Sequence, residues 1–309
     1  LHRVGRGQRK MGKRDRYLYM EMKIAVSNLS KRFGKKQALD NINLEIDSGM
    51  FGLLGRNGAG KTTFMRILAT LLSKTEGSIH MCGVPIENTK EIRNMVGYLP
   101  QDFSMYPNMT VYKAMDYLAV LSDIPLRKRR KIIAKLLSKV NLTNYQNVKV
   151  KSLSGGMNRR LGIAQALIHN PRVLIVDEPT AGLDPEERIR FRNLLCEIAN
   201  DRIVILSTHI VGDIEATCEN VAILNSGKVI YNGSTEALAK LAEGKVYSIE
   251  VDKKDIENIK SRFIVIGMLT HGGKAILRII SDDKPFETAV NCNPTIEDGY
   301  MLIMGGDNI

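Results

Sequence analysis

The sequence predicts an α/β fold, because short apolar runs alternate with stretches in which apolar residues recur every three or four positions. The two clearest runs, Met50–Leu54 and Val173–Val176, have the length and composition of buried parallel strands. A glycine-rich segment follows the first run and opens a helical stretch from Lys61 to about Leu71. The order strand, glycine loop, helix indicates an open sheet whose strand ends carry the chemistry.

Composition indicates a globular chain of one or two domains. The 309 residues are 44 % apolar and 25 % charged, and no apolar run approaches the roughly 18 residues of a membrane-spanning helix. The four cysteines lie far apart without a C-x-x-C spacing, which favours free thiols over a metal site or a disulfide framework. We therefore expect a cytosolic chain.

Half of the net charge of +12 lies near the N-terminus, where residues 1–23 hold eight Lys or Arg against two Asp or Glu. The favoured interpretation is a disordered basic leader over residues 1–21, with Met20 or Met22 as the natural start. The alternative is a basic arm that binds nucleic acid or acidic lipid. Because charge blocks without interleaved aromatic residues are usually solvated, we do not expect nucleic acid as a partner.

The glycine-rich segment matches the phosphate-binding pattern G-x-x-x-x-G-K-[ST]. Its glycines let successive N–H groups face one anion, and the following helix adds its positive end. Lys61 can reach the β- and γ-phosphates, and the Thr62 hydroxyl can ligate Mg²⁺. An ordinary glycine-rich turn is the alternative, but the flanking strand and helix favour a nucleoside triphosphate site. The pattern comprises Gly55, Arg56, Asn57, Gly58, Ala59, Gly60, Lys61 and Thr62.

The segments on either side of this loop are predicted as short strands. They comprise a strand starting at Ile24–Val26, a second at Ile42–Ile46, and pieces at Ser78–Met81 and Met95–Leu99. Pro100–Gln101 then breaks the pattern. Phe33, next to a glycine turn, is by its type alone expected in the core.

Helical spacing from Val111 to about Leu137 predicts a separate helical lobe, about residues 102–168, inserted into the α/β core. Its basic run Arg127–Lys131 is interpreted as a solvated helix face, with lipid headgroups or a partner as the alternative. Ser154 fits the N-cap of a helix that continues through Leu167. Ser-Gly-Gly at a helix start is also an anion site, whose anion the residues do not specify.

Two later strand ends deliver polar side chains. Val173–Val176 leads to Asp177 and Glu178, where one carboxylate can hold Mg²⁺ and the other can orient or deprotonate water. An acidic capping turn before Pro179 is the alternative. The strand Ile203–Leu206 leads to His209, which we expect to be functional rather than structural because of this position.

Taken in order, the motifs resemble an ABC-type ATPase subunit over about Met22 to Ser234. Many members carry glutamine where this chain has Met157. This difference should be tolerated, because Ser154 and the two glycines after it would make the phosphate contacts. Phe33 aligns with the family's adenine-stacking aromatic residue. The matching motifs are the loop Gly55–Thr63 (so including Thr63), Gln101, the signature Leu153-Ser154-Gly155-Gly156, Asp177-Glu178, the turn Gly182-Leu183-Asp184, and His209.

The resemblance implies that two subunits face head to tail, with ATP between one phosphate loop and the partner subunit's signature. It implies that Gln101 touches Mg²⁺ and senses a membrane partner, and that His209 contacts the γ-phosphate. Asp184 would couple the two sites, and Glu178 would be the hydrolytic base. ATP and Mg²⁺ are thus the expected substrate and cofactor.

The predicted domains are an ATPase domain over residues 22–238 and a small α+β appendage over residues 239–309. The appendage is expected in the order β-α-β, from strand-like alternation at Lys245–Val251 and Lys274–Ile280 around a helix at Lys254–Arg262. Its ending, Asn293–Tyr300, is similar to the tail of the branch with drug, antibiotic and polymer exporters.

We therefore expect an ATP-hydrolysing subunit, peripheral at the cytoplasmic face of the cell membrane, that powers a separate polytopic membrane subunit. Export is favoured over import, and homodimer or heterodimer stays open. One alternative is a soluble ABC-type ATPase acting on ribosomes, nucleic acid or protein; the single phosphate loop and the lack of a long heptad insertion weigh against it. Another is a regulatory ATPase whose appendage binds a small effector.

Overall fold

The structure is a computed structural model that describes residues 21–305. The predicted leader, residues 1–21, therefore lies outside the described range except for Glu21. The strands are β1 Lys23–Phe33, β2 Lys36–Asp47, β3 Gly49–Leu54, β4 Glu76–Met81, β5 Val84–Pro85, β6 Val96–Leu99, β7 Val173–Asp177, β8 Ile203–Thr208, β9 Asn220–Asn225, β10 Lys228–Ser234, β11 Val246–Asp252, β12 Ile264–His271, β13 Lys274–Ile280 and β14 Val290–Asn291. The α-helices are α1 Lys61–Leu68, α2 Thr89–Met95, α3 Val111–Leu121, α4 Leu126–Lys139, α5 Gly155–Ala166, α6 Pro185–Ala199, α7 Val211–Glu215, α8 Thr235–Lys240, α9 Ile256–Arg262 and α10 Ile296–Gly305.

A six-stranded mixed sheet forms the centre of the molecule, which confirms the predicted α/β class. Its strand order is β10-β9-β3-β8-β7-β6, and all neighbours are parallel except the antiparallel pair β9 and β10. The carboxyl ends of β3, β6, β7 and β8 consequently lie at the same edge. Alternate residues of β7 face opposite layers: Val173 and Ile175 face one core, and Leu174 and Val176 the other.

The first core lies between this sheet and a four-stranded antiparallel sheet of order β2-β1-β4-β5. Helix α1 fills the space between them with Phe64 and Met65, which are fully buried. The helix ends at Leu68, earlier than the predicted Leu71, because Thr70 takes a left-handed backbone conformation with φ 56°.

The second core joins the other face of the central sheet to the helical lobe and to α6, α7, α8 and α10. Where one helical stretch was predicted, the lobe has two helices, α3 and α4. Asp123 has φ 54° and Pro125 lies at the N-cap of α4, so neither continues a helix. The basic run Arg127–Lys131 lies along the first turns of α4, mostly exposed, as expected of a solvated face.

The third sheet, of order β12-β13-β11-β14, has its own small core, to which Ile249, Leu277 and Ile279 contribute. Its order differs from the predicted β-α-β because β12 adds an edge strand after α9 and β14 adds another beside β11. The strand-sized apolar run at Phe263–Leu269 corresponds to β12. None of the helices within residues 21–305 combines the length and the apolar composition needed to cross a bilayer.

Helix α10 leaves the third sheet and packs against α7 and α8. A side chain at Gly299 would place its Cβ 2.0 Å from the Leu238 carbonyl oxygen, so the contact requires glycine. Tyr300 is buried in the same core as Leu238, and burial raises the pKa of its hydroxyl. The guanidinium of Arg56 lies near this hydroxyl and opposes the rise in its pKa. Helix α10 therefore reaches the loop after β3.

Candidate nucleotide site

Four parallel strands bring most of the predicted site residues to one edge of the central sheet. Strand β3 leads into the glycine loop 55–60, and β7 delivers Asp177 and Glu178. Strand β8 ends just before His209, and β6 ends two residues before Gln101. The sequence places these groups far apart, and the parallel register brings them together.

The glycine loop is closely packed at both ends. A Cβ at Gly55 would lie 2.4 Å from the Leu224 carbonyl oxygen, which excludes any side chain there. Gly60 has φ 111°, and its Cβ would lie 2.8 Å from the Ala38 carbonyl oxygen. Helix α1 begins directly after Gly60, with no acidic residue in its first turn. Its N-terminal N–H groups and its dipole are thus directed toward the loop, as an anion site requires.

Lys61 is buried, with 4 % of its surface exposed, and its ammonium group is held by three oxygens. Its Nζ donates to the carbonyl oxygens of Gly55 at 2.6 Å and Arg56 at 3.2 Å. The same Nζ lies 3.2 Å from Glu178 Oε1. The side chain that was predicted to reach phosphates therefore forms an ion pair with the predicted base.

Glu178 bridges this lysine and His209. Its Oε2 lies 2.8 Å from His209 Nδ1, while its own backbone N–H donates to the Ser207 carbonyl oxygen at 3.0 Å. The backbone of Glu178 is left-handed, with φ 45°, a conformation that costs free energy in a non-glycine residue. The His209 side chain is 40 % exposed, so the bridge lies at the edge of a solvent-accessible space.

Asp177 lies deeper, with 1 % of its surface exposed. Within residues 21–305 neither of its carboxylate oxygens has a hydrogen-bond partner. Burial raises the pKa of this carboxyl above its ordinary value, although the neighbouring hydroxyls of Ser207 and Thr62 pull it down. A buried carboxylate without a partner, beside a threonine hydroxyl, fits a hard divalent cation such as Mg²⁺.

Replacing this carboxylate should stabilise the protein while removing the predicted ligand of the cation. Because the folded-state pKa is raised, the ionised carboxylate opposes folding above that pKa, and this cost disappears as pH falls through it. We therefore expect Asp177→Asn to raise the melting temperature at pH 7 by a few °C. Scanning calorimetry of both proteins without nucleotide measures this difference in melting temperature.

The exposed Asp201 provides the control, because Arg202 lowers its pKa and Asp201→Asn should not raise the melting temperature. With ATP and Mg²⁺ present, the wild type should have a higher melting temperature than Asp177→Asn, since only the wild type would gain the metal-dependent stabilisation. A melting temperature of Asp177→Asn that is unchanged in the absence of nucleotide would contradict the cost of burying this ionised carboxylate.

A cavity of about 700 Å³ opens beside Lys61 and Glu178, which both line it; Asp177 and His209 do not line it. The cavity is also lined by residues that no sequence pattern singled out, namely Gln37 and Ala38 of β2 and the Ser226–Gly227 turn between β9 and β10. The turn resembles any hairpin turn in sequence, so only the fold places it here. The predicted residues that line the cavity are Phe33, Asn57, Gly58, Gly60, Lys61, Thr62, Thr63, Gln101 and Glu178.

Phe33 lies at the mouth of the cavity, at the end of β1. Its side chain is 47 % exposed, so the expectation from residue type alone, a core position, was wrong. The ammonium group of Lys31 lies 5.0 Å from the centre of its ring. An exposed aromatic face at a cavity mouth can stack a nucleobase.

The signature residues and Asp184 do not line this cavity. Ser154 Oγ accepts from the Met157 N–H at 3.2 Å, which confirms the predicted N-cap of α5. Asp184 Oδ1 accepts from the Glu187 N–H at 2.8 Å and caps α6. Ser154, Gly155 and Asp184 are exposed, so they remain accessible to another molecule.

Comparison with known proteins gives matches over most of the chain. The family model described as "ABC transporter" matches residues 39–181. YhaQ of Bacillus subtilis, an uncharacterized ABC transporter ATP-binding protein, is 37 % identical over 231 residues, or 74 % of this chain and 77 % of that protein. Nod factor export ATP-binding protein I of Burkholderia orbicola is 31 % identical over 291 residues, covering 90 % and 95 %.

A solved structure matches the fold as well. It is the dimeric post-hydrolysis state of the ATP-binding cassette MJ0796 bound to ADP and Pi. It aligns with a TM-score of 0.62 and 25 % sequence identity, over 68 % of this chain and 98 % of that chain.

Proposed function

Because this chain belongs to the ABC transporter ATP-binding proteins, a family of ATPases that form dimers, we propose that its ATP hydrolysis powers a separate membrane-spanning subunit. The observation that carries the proposal is the bridge Lys61–Glu178–His209 at the edge of the cavity. The bridge supports ATP hydrolysis because a cation, a carboxylate and an imidazole lie together beside the loop that would bind the phosphates.

The residues of the bridge would change partners when ATP enters. Lys61 exchanges its contact with Glu178 for the β- and γ-phosphates, because a phosphate carries more negative charge than one carboxylate. Glu178 is then free to orient and deprotonate the attacking water. His209, on the other side of Glu178, is placed to contact the γ-phosphate. Phe33 stacks the adenine at the mouth of the cavity.

Mg²⁺ would be held by Thr62, Asp177 and Gln101, and it would neutralise charge on the β- and γ-phosphates. Support comes from the unpartnered carboxylate of Asp177 and from Thr62 and Gln101, which line the cavity. The contribution of the chain is to keep these oxygen ligands fixed on β7, α1 and the segment after β6, so that little rearrangement is needed when substrate binds.

The exposed signature is assigned to a second subunit. We infer that Ser154, Gly155 and Gly156 at the start of α5 complete the nucleotide site of the partner across a head-to-tail dimer, with Asp184 at the same interface. Ser154 and Gly155 are exposed and do not line this chain's own cavity. Helix α5 has no acidic residue in its first turn, so its N-terminus favours a phosphate.

A groove beside Gln101 is assigned to the membrane subunit. It measures about 580 Å³ and is lined by Pro100, Phe103 and Tyr106 of the segment after β6 and by Leu118 of α3. Leu121 follows Leu118 by one turn of α3 and is an exposed apolar residue, 62 % accessible. An apolar groove attached to a cavity residue can report nucleotide state to a docked segment, at the cytoplasmic face of the membrane.

The transport direction assigned to the assembly is export. The relative from Burkholderia orbicola is named for Nod factor export, and its similarity covers 90 % of this chain, which is more than residues 1–238 contain. The similarity therefore extends beyond the ATPase motifs that importers and exporters would share. The cargo would be selected by the membrane subunit.

Affinity capture from native membranes tests the proposal. Tagged Glu178→Gln protein with ATP and Mg²⁺ should be trapped in its nucleotide-bound assembly and should retain a polytopic membrane protein. The same variant combined with Leu121→Glu keeps the nucleotide site but places a charge beside the groove, and it should lose that partner. Recovery of ribosomes or nucleic acid without a membrane protein would overturn the transporter assignment.

A further inference from the structure

Helix α7, which follows His209, contains a fully buried carboxylate, Asp213, with 0 % of its surface exposed. Its Oδ2 accepts hydrogen bonds from Thr180 Oγ1 at 2.5 Å and from Thr208 Oγ1 at 3.4 Å. Its Oδ1 accepts from Arg188 Nε at 2.7 Å, and the Arg192 guanidinium lies 3.7 Å away. One carboxylate thus contacts three separate segments of the chain.

Two of these contacts reach the strand ends of the site. Thr180 lies two residues after Glu178, on the turn that leaves β7. Thr208 is the last residue of β8, directly before His209, and its Oγ1 also accepts from the Ile210 N–H at 3.0 Å. The hydroxyl groups on either side of the Glu178–His209 contact therefore converge on the same carboxylate.

The third contact reaches the segment that carries Asp184. Arg188 lies in the first part of α6, and its N–H donates to the Asp184 carbonyl oxygen at 3.0 Å. The ion pair of Arg188 with Asp213 is half-sheltered, since 28 % of the arginine side chain is exposed. Because salt bridges are strong where water is excluded, this contact fixes the start of α6 relative to α7.

We propose that Asp213 is a positioning residue for hydrolysis, which holds His209, the Glu178 turn and Asp184 in one rigid arrangement. Asp213 is fully buried and does not line the cavity, so it acts through these three residues. The inference rests on the proposed ATPase site and adds the residue that holds His209, Glu178 and Asp184 in fixed relative positions. A displacement of reacting groups by as little as 1 Å can cost about 100-fold in rate.

The test compares Asp213→Asn with a matched variant at a buried carboxylate that does not line the cavity. Asp298 is also a fully buried carboxylate paired with an arginine, since its Oδ1 accepts from Arg278 Nε at 2.9 Å. Both variants remove a buried charge at almost constant volume. We expect similar losses of melting temperature in the two, but a fall in kcat of roughly 10- to 100-fold in Asp213→Asn alone.

The Michaelis constant for ATP separates positioning from damage to the site. Since Lys61 and the glycine loop do not contact Asp213, the KM of Asp213→Asn should stay within about threefold of wild type. Thr180 gives a second, milder pair of variants. Thr180→Val keeps the shape of the side chain and removes the hydroxyl, so it should lower kcat. Thr180→Ser keeps the hydroxyl, so its kcat should stay near that of the wild type.

Rates are measured per folded molecule, well below each melting temperature. Unchanged kcat in both Asp213→Asn and Thr180→Val would overturn the inference, and so would an equal fall in Thr180→Val and Thr180→Ser. If Asp213→Asn does not fold, the Thr180 pair decides. A wild-type protein that binds ATP but never hydrolyses it would instead refute the proposed function itself.

Discussion

Glu178→Gln is expected to lower ATP turnover by about 100-fold or more, which is the size of effect that general-base catalysis supplies. The amide cannot take a proton from water, and its NH₂ group cannot accept the hydrogen bond that the carboxylate accepts at Oε2. ATP affinity should be kept or increased, because the ammonium of Lys61 loses its competing carboxylate at 3.2 Å. Steady-state hydrolysis together with calorimetric titration of ATP and Mg²⁺ measures both quantities.

The matched control for this variant is Glu186→Gln. Glu186 is an exposed carboxylate in the first turn of α6, paired with Arg190 at the surface, so its loss should change neither rate nor affinity. Turnover near the wild-type value in Glu178→Gln would remove Glu178 from the role of base. The strain at its left-handed backbone would then need another explanation.

Lys61→Ala is expected to weaken ATP binding by roughly 10- to 100-fold or more. The ammonium group of Lys61 is bound to a carbonyl oxygen of the loop. Once this group is removed, nothing replaces its charge-assisted hydrogen bond to phosphate. Equilibrium binding of a fluorescent ATP analogue measures the loss. Lys36, exposed at the cavity wall, gives the control, and Lys36→Ala should weaken binding less than about threefold.

The Lys61 variant also leaves the buried carboxylate of Glu178 without its cation, so lower stability is expected in Lys61→Ala. The double variant Lys61→Ala, Glu178→Gln removes both charges. Its melting temperature should recover toward wild type while ATP affinity stays lost. Recovery of affinity together with stability would mean that the lysine acts only through folding.

Local patterns were sufficient to predict the central features of this molecule. Buried parallel strands have continuous apolar runs, and their carboxyl ends meet at one edge, so the loop before Lys61, Glu178 and His209 could be placed together before any coordinates existed. Ser154 and the start of α5 followed from capping chemistry. These features depend on residues that are close in sequence or on one general rule of sheet topology.

The features that were missed depend on contacts distant in sequence. Helix α10 contains Gly299, which lowers helix propensity, and only its contact with the Leu238 carbonyl oxygen explains the glycine. Asp213 lies in a five-residue helix too short for a periodic pattern, and its partners come from three segments. The exposure of Phe33 depends on where the end of β1 lies relative to the loop after β3.

The packing of α10 against α8 changes how the third sheet should be regarded. Both helices that flank it belong to the main core, so residues 246–291 leave that core and return to it at neighbouring points. A segment attached in this way is an inserted domain, which can lengthen, shorten or be exchanged while its two anchoring helices stay in place. Truncation after Lys240 would instead strip Tyr300 and Met304 from the core. Sequence divergence among related chains should therefore concentrate within residues 246–291, while helix α10 is retained as part of the main core.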